Sequence, residues 1–205
     1  RLKRLVRAQA RRHGVTACFM AKPIADYAGS GMHIHVSLLD ETGANVFVEE
    51  AEGEWSPLLL NAIGGLQATM GESMLVFAPH ANSWRRFANQ SYAPVSPTWG
   101  VNNRSVALRI PAGSVSARRI EHRPAGVDAN PYLVGATVLA ALRHGLKGRI
   151  DPGPETKGNG YEAEDGLVIP TDWREAIRAA EGSVFLKDAL GADMHRTFTA
   201  IKAAE

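Results

Sequence analysis

The chain has 205 residues, of which 45% are hydrophobic and 21% charged, and this globular composition excludes a disordered chain, a collagen-like repeat and a disulfide scaffold. Its 23 Lys and Arg against 21 Asp and Glu leave a formal net charge of +2, which disfavours a nucleic-acid-binding protein. The single cysteine, Cys18, cannot form an intrachain disulfide and indicates a reducing cytoplasm, and no apolar run approaches the length of a membrane span.

A helix is predicted at the start of the chain. Leu2, Leu5 and Val6 recur at helical spacing among Lys and Arg, and Gly14 ends the pattern. Because the pattern is already under way at Arg1, we expect the chain to be a piece of a longer protein.

Strands are predicted next. Val15–Met20 has the composition of a buried strand, and Met32–Leu38 alternates strictly between apolar and polar residues. After a turn-forming segment, Val46–Val48 could return as the hairpin partner of the second strand. Further along the chain, Asn103–Ile110 and Ser116–Arg123 predict two more strands.

Two longer helices are predicted from their first residues. Ser56-Pro57 and Asn130-Pro131 are pairs typical of an N-cap followed by the first helical position, and each opens an apolar segment. Shorter helical patterns follow from Asp172. Pro79–Gly100 is a long irregular stretch, and long loops in compact domains usually have a functional role. Because strands precede helices without regular alternation, the pattern favours an α+β fold over a doubly wound parallel sheet.

The alternating strand presents a polar face. Successive side chains on a strand point to opposite sides, so His33, His35 and Ser37 share one face and the apolar residues share the other. Two neighbouring imidazoles suit metal ligation or contact with an anion. The preceding Gly29-Ser30-Gly31 would let a ligand approach the backbone closely. The alternative is a surface strand with solvated histidines.

A second polar face lies on the last predicted strand. The same alternation places Arg119, Glu121 and Arg123 together. Glu121 could be a metal ligand between arginines that hold carboxylate or phosphate by bidentate contacts. Alternatively, the three residues form a surface charge ladder of little energetic value. Arginines, with no lysines among them, also cluster around the irregular stretch, and this composition suggests phosphate recognition. The cluster consists of Arg85, Arg86, Arg104 and Arg109.

Together, these segments resemble the glutamine synthetase family. The matching segments stand in the family's order and approximate spacing over roughly residues 1 to 150, and they are Lys22-Pro23, Gly29–His35, Asn82–Arg86, Asn103–Pro111, Arg118–Glu121 and Asp128–Leu133. The resemblance implies a mainly antiparallel curved sheet flanked by helices. It also implies that residues 1–205 are the C-terminal portion of the catalytic domain, without the N-terminal β-domain and the first part of the catalytic domain.

The activity implied by the resemblance is an ATP-dependent ligase that uses Mg²⁺ or Mn²⁺. Such an enzyme joins the γ-carboxylate of glutamate to an amine through a γ-glutamyl phosphate. His33 and Glu121 match metal ligands of the family. The residues that match the nucleotide-binding set are His35, Ser37, Arg104, Arg109 and Arg119. Those that match the substrate-binding set are Gly29, Arg86, Arg123 and Tyr92, with catalytic roles implied for Arg86, Arg104 and His35.

Tyr92 and the residues after it point to the amine acceptor. In ammonia-using members a glutamate occupies the position of Tyr92, and the segment Trp99–Arg104 is more similar to the γ-glutamylpolyamine synthetase branch. We therefore expect a polyamine-type acceptor, with Trp84 and Trp99 as further aromatic walls. The alternatives are an ammonia-using glutamine synthetase and a non-catalytic relative. Ala28 also departs from the family, which usually has asparagine there.

The family's assembly adds further expectations. Family enzymes are rings whose active sites form between neighbouring subunits, so the resemblance implies a homo-oligomeric, dodecamer-like ring for the full-length protein. The family's other metal-binding glutamates precede the position of Arg1. We therefore expect this chain alone to bind ATP weakly and to lack ligase activity.

Overall fold

The computed structural model describes residues 1–49, 54–88, 91–163 and 168–205. Eight α-helices lie in these ranges, and their bounds are α1 Leu2–Arg12, α2 Pro57–Ala68, α3 Met70–Phe77, α4 Ala81–Trp84, α5 Pro131–Gly148, α6 Trp173–Glu181, α7 Val184–Leu190 and α8 Ala192–Ala204. The four strands are β1 Ile34–Val36, β2 Trp99–Val101, β3 Leu108–Ile110 and β4 Ile120–His122. No helix in the described ranges is long and apolar enough to span a membrane.

The sheet is small, and its strand order is β1-β4-β3-β2. β4 pairs antiparallel with both β1 and β3, whereas β2 runs parallel to β3. Glu121 on β4 lies opposite His35 on one side and Arg109 on the other. Residues directly opposite each other in a sheet share a face, so the register gathers these three side chains. The α+β fold with a mainly antiparallel sheet flanked by helices is confirmed.

The strands are shorter than the sequence predicts. Asn103–Ile110 forms a strand only over its last three residues, because the Asn103 side chain accepts a hydrogen bond from the Ser105 amide at 2.9 Å and turns the chain. Ser116–Arg123 overlaps a 3₁₀ turn at Val115–Ala117 before β4 starts.

Two strand predictions are wrong. Val15–Met20 has no regular structure and leaves Val15 60% exposed, because no described strand offers it a hydrogen-bonding partner. Val46–Val48 forms no strand either. A hydrogen bond from the Val46 amide to the Leu38 carbonyl, at 2.9 Å, and an isolated antiparallel bridge between Leu39 and Asn45 join the two segments instead.

The helices follow the sequence more closely. Asn130 caps α5 through a hydrogen bond accepted from the Tyr132 amide at 3.0 Å, and Asp172 caps α6 in the same way. Ser56 stands at the N-cap of α2, but its hydroxyl donates to the Val46 carbonyl at 2.9 Å instead.

The core lies between the sheet and helices α2, α3 and α5. Fully buried side chains fill this space, and the largest include Phe47, Leu59, Ile63, Met74, Leu75, Leu108, Ile110, Ile120 and Leu142. The apolar residues of Met32–Leu38 pack against this core, while His33, His35 and Ser37 are exposed on the other side of the strand. The core therefore turns the predicted polar face outward.

Candidate active site

A buried carboxylate is the centre of the site. Glu121 is only 3% exposed, and three side chains converge on it. His33 Nδ1 lies 2.8 Å from Oε1, and Arg123 Nη1 lies 3.0 Å from the same oxygen. Arg109 Nη1 lies 2.8 Å from Oε2. Glu121 lies on β4 and Arg109 on β3, while Arg123 directly follows β4 and His33 directly precedes β1, so the sheet pairing brings together the predicted groups.

The two arginines are held on their far sides as well. Arg123 Nη2 donates to the carbonyls of Tyr92, at 3.2 Å, and Arg104, at 2.9 Å. Arg109 Nη2 donates to the side-chain oxygen of Asn102 at 2.6 Å. Because each guanidinium has several fixed partners, its planar fork has little freedom to move. The surface-ladder alternative is excluded for Glu121 and Arg123, which are buried rather than solvated.

These contacts determine the charges in the site. Burial disfavours ionised Glu121, but the hydrogen bond from Arg109 and the charge of Arg123 outweigh it and lower the pKa of this carboxyl. Burial, with the charge of Arg123, also lowers the pKa of His33. Near pH 7 the carboxylate is therefore anionic and the imidazole neutral.

A cavity of about 260 Å³ opens beside this cluster. Its wall includes His33 and Arg123 of the cluster, and Arg86 and Tyr92 from the loop after α4. Arg86 is 5% exposed, and the one hydrogen bond that its guanidinium makes to a described residue runs from Nη1 to the Pro124 carbonyl at 3.0 Å. A buried guanidinium with unused donors at a cavity is suited to bind an anion.

Glycine is required where the backbone passes Arg86. A β-carbon at Gly29 would lie 2.9 Å from Arg86 Cγ, and one at Gly31 would lie 3.1 Å from Arg86 Nη2. The Ser30 amide donates to Ala21 at 2.7 Å, so this segment cannot easily move away. The glycines therefore admit the arginine, in addition to lining the cavity as the sequence suggests.

The predicted nucleotide-binding residues lie on the outer part of the same face. His35 Nδ1 accepts a hydrogen bond from Arg119 Nε at 3.2 Å. Ser37 and Arg104 are exposed and donate no side-chain hydrogen bond to a described residue. A second, open cleft lies beside the cavity and shares His33, Tyr92 and Arg123 with it. Its other lining residues are Arg104, Arg109 and Glu121. Of the predicted nucleotide-binding residues, Arg104 and Arg109 line this cleft, whereas His35, Ser37 and Arg119 line neither of the two depressions.

Of the three aromatic residues predicted as walls for the amine, Tyr92 lines the depressions. Tyr92 lines both depressions and is 67% exposed, with a left-handed backbone φ of 57°. Trp99 instead belongs to the core, so the prediction of Trp99 as a wall is wrong. Trp84 is half-buried, packs against Phe87 and lines neither depression. Residues 89 and 90 of the predicted loop lie outside the described residues.

Sequence reasoning assigned no role to some residues of the site. Lys22 and Ser91 line the cavity, and Asn102 fixes Arg109. The sequence did point to Lys22, because Lys22-Pro23 is one of the segments that resemble the glutamine synthetase family. The hydrogen bond of Asn102 depends on its φ of 48°, which a sequence pattern does not specify.

The donor set of His33 and Glu121 fits a divalent cation. An imidazole nitrogen and a carboxylate oxygen 2.8 Å apart are ligands that Mn²⁺ or Mg²⁺ accepts. Within residues 1–49, 54–88, 91–163 and 168–205, no group of three His, Cys, Asp or Glu side chains could hold a metal ion. The two residues therefore offer part of a coordination shell.

His122, next to Glu121 in sequence, faces the core. Its ring lies 4.5 Å from that of Phe77, and neither ring nitrogen has a hydrogen-bond partner in the described part of the chain. Burial, assisted by the charge of His33, lowers the pKa of His122 to about 3. An unfolded histidine has a pKa near 6.5, so only the unfolded state binds this proton in mild acid.

We expect His122 to make the fold acid-sensitive. As pH falls from about 6.5 towards 3, the wild type should lose about 1.4 kcal/mol per pH unit through this residue, because the unfolded state alone is protonated. His122→Leu should remove that slope in urea unfolding followed by circular dichroism at pH 7, 6 and 5. His13→Leu, at an exposed histidine, is the control and should retain it. Equal slopes in wild type and His122→Leu would contradict the prediction.

The chain is similar to known proteins along its whole length. The family model described as the glutamine synthetase catalytic domain matches residues 1–205. The γ-glutamylputrescine synthetase PuuA of Escherichia coli is 45% identical over 204 residues, which cover 100% of this chain and 43% of that protein. A glutamine synthetase of Pyrococcus furiosus is 37% identical over 99% of this chain and 47% of its own length.

A solved structure agrees with these sequence relatives. The structure described as apo GmaS without ligand superposes with a TM-score of 0.87 at 35% identity, and covers 100% of this chain and 47% of that one. The chain thus spans about half the length of the relatives it matches. The match over all 205 residues and the identity to these ligases establish that the chain belongs to the glutamine synthetase family.

Proposed function

We propose that this chain is the C-terminal portion of the catalytic domain of an ATP-dependent ligase. The enzyme joins the γ-carboxylate of glutamate to a primary amine through a γ-glutamyl phosphate. The observation that supports this most is the convergence of His33, Arg109 and Arg123 on buried Glu121, beside a cavity that also carries Arg86. Fixed cationic groups suit a reaction whose carboxylates and phosphoryl oxygens must be neutralised.

Glutamate is proposed to occupy the 260 Å³ cavity. Arg86 and Arg123 would bind its carboxylate charge there and stabilise the oxygens of the acyl phosphate. Gly29 lets the substrate approach the backbone. These groups need no rearrangement, because their hydrogen bonds to the Pro124, Tyr92 and Arg104 carbonyls already orient both guanidiniums.

ATP is proposed to lie on the outer part of the face. Arg104, Arg109 and Arg119 would neutralise its phosphates, with His35 and Ser37 beside them. His33 and Glu121 would hold Mg²⁺ or Mn²⁺, which supplies charge neutralisation to the phosphate oxygens when bound. Because this chain provides two ligands, the phosphates and carboxylates elsewhere in the full-length enzyme would complete the shell.

The proposal extends to the domain composition, assembly and location of the full-length enzyme. The full-length enzyme would include the N-terminal β-domain and would form a homo-oligomeric, dodecamer-like ring. A cytoplasmic location is consistent with the exposed thiol of Cys18, which a reducing compartment keeps free.

The proposed acceptor is a primary amine larger than ammonia, such as a polyamine. Tyr92 places a phenol rather than a carboxylate at this position, and a phenol does not attract ammonium as a carboxylate would. Its exposed ring at both depressions offers an aromatic wall for a methylene chain and a cation–π contact for a second ammonium group. The second candidate is an ammonia-using glutamine synthetase, which is favoured by the 37% identity to the Pyrococcus furiosus enzyme.

We expect the full-length enzyme to use putrescine or spermine at least about tenfold better than ammonium in kcat/KM, because an apolar wall rewards the added methylenes. ATP-dependent phosphate release with glutamate and ammonium, putrescine, spermine or ethanolamine measures this preference. Tyr92→Glu should shift it towards ammonium. Tyr132→Glu, at a tyrosine that is 79% exposed on α5, is the matched control and should leave it unchanged. A higher kcat/KM for ammonium than for every other amine would favour the second candidate.

A further inference from the structure

Asp128 has no role in the reaction proposed above, yet its carboxylate lies behind Arg86. One oxygen, Oδ2, accepts a hydrogen bond from the Ser83 hydroxyl at 2.6 Å. The other, Oδ1, is shielded from solvent and has no hydrogen-bond partner among the described residues. A buried carboxylate oxygen without a donor is costly, so its placement calls for a charge nearby.

The nearby charge is the guanidinium of Arg86. A β-carbon at Gly126 would lie 2.4 Å from Asp128 Oδ1 and 3.2 Å from Arg86 Nη1, so both groups flank the same small space. Arg86 forms no ion pair within 4.0 Å with any described residue. Burial lowers the pKa of Arg86, and Asp128 is the group that opposes this effect.

The two edges of the guanidinium face different surroundings. Nη1 donates to the Pro124 carbonyl at 3.0 Å and lies on the Gly126 side with Asp128. Nη2 lies on the Gly31 side, where a β-carbon would be 3.1 Å away, and Gly31 lines the cavity. Asp128 therefore acts on the edge that faces away from the proposed substrate and leaves the other edge available.

Asp128 also supports the backbone that carries Arg86. Ser83, which donates to Asp128, is fully buried in α4, and its hydroxyl accepts a hydrogen bond from the His80 amide at 3.1 Å. The Arg86 amide donates to the Ser83 carbonyl at 3.2 Å. The Asp128 carboxylate thus contacts α4, which ends two residues before Arg86, and also faces the Arg86 guanidinium.

We propose that Asp128 is a positioning residue that holds Arg86 in the orientation required to bind glutamate, an inference that rests on the proposed function. Without its charge, the Nη1 edge loses its electrostatic partner and the guanidinium is free to leave the cavity wall. Glutamate binding should then weaken, whereas ATP, bound on the outer part of the face, should be unaffected.

The test is a double-mutant cycle in the full-length enzyme, with dissociation constants for glutamate and ATP from isothermal titration calorimetry. Asp128→Asn keeps the shape and an acceptor for Ser83, and should raise the Kd for glutamate about tenfold through loss of orientation. The Kd for ATP should stay within about twofold. In the Arg86→Gln background, Asp128→Asn should add less than about a twofold change, because its target is gone. Asp193→Asn, at an exposed aspartate, is the control and should change neither constant.

Ser83→Ala gives a second measurement if Asp128→Asn fails to fold. It removes the hydrogen bond and keeps the charge, so the glutamate Kd should rise about threefold, again only when Arg86 is present. An unchanged glutamate Kd in the folded variants, or effects that add to that of Arg86→Gln, would overturn the positioning role alone. A wild-type enzyme that binds no glutamate would overturn the proposed function together with this inference.

Discussion

Glu121→Gln should abolish ligase activity and destabilise the fold. The carboxylate is 3% exposed and faces Arg109, Arg123 and His33 at 2.8 to 3.0 Å, so its neutralisation leaves two guanidiniums uncompensated in a buried site. Breaking a buried ion pair from one side costs about 3–5 kcal/mol. We expect a loss of that order in the free energy of unfolding, measured on the chain by urea denaturation at pH 7.

The ligase activity of Glu121→Gln should also fall, for a reason separate from the loss of stability. Under the proposed function, Glu121 is a metal ligand and orients Arg109 and Arg123, so kcat/KM in the full-length enzyme should fall by at least about a hundredfold. The assay is run at a temperature at which circular dichroism shows the variant to be folded. Glu41→Gln, at an exposed glutamate, is the control and should change neither property. A folded Glu121→Gln enzyme with unaltered kcat/KM would contradict the assigned role.

Gly145→Ala should be the most destabilising glycine-to-alanine substitution in α5. A β-carbon there would lie 2.0 Å from the Asn61 carbonyl oxygen and 2.6 Å from the Gly65 amide nitrogen, so α2 and α5 would have to move apart. These obstacles are backbone atoms, which cannot rotate away as a side chain does. Overpacking a tight core costs about 1–3 kcal/mol, and we expect about 3 kcal/mol here because two helices must separate.

Gly135→Ala is the matched control in the same helix. A β-carbon at Gly135 meets no heavy atom within 4 Å, so alanine should stabilise α5 by about 0.5–1 kcal/mol through its higher helix propensity. Chemical denaturation of both variants gives the free energy of unfolding. It should decrease for Gly145→Ala and increase for Gly135→Ala. Similar effects of the two substitutions would show that the approach of α2 to α5 does not limit stability.

The sequence by itself determined the features that depend on neighbouring residues. The alternation in Met32–Leu38 predicted which side of the strand His33 and His35 occupy, and the core-packed apolar residues confirm it. Asn130-Pro131 and Asp172 predicted the starts of α5 and α6, because an N-cap is a local hydrogen bond. Family membership was also readable, since several separate segments stand in the family's order.

The tertiary structure decided the features that depend on distant segments. Val15–Met20 has a strand composition but no strand, because a strand also needs a partner along its edge. Trp99 entered the core instead of the site, which its position in the loop did not reveal. Likewise, Arg109, Glu121 and His33 meet only through strand register.

The position of Asp128 behind Arg86 illustrates the same limit. The two residues are joined through the small space at Gly126, and no periodicity in either segment predicts the contact. Local hydrogen bonding and side-chain alternation act over a few residues, whereas this contact depends on how the loop after α4 packs against the turn after β4. The sequence therefore identified the chemical groups of the site, and packing decided which of them face one another.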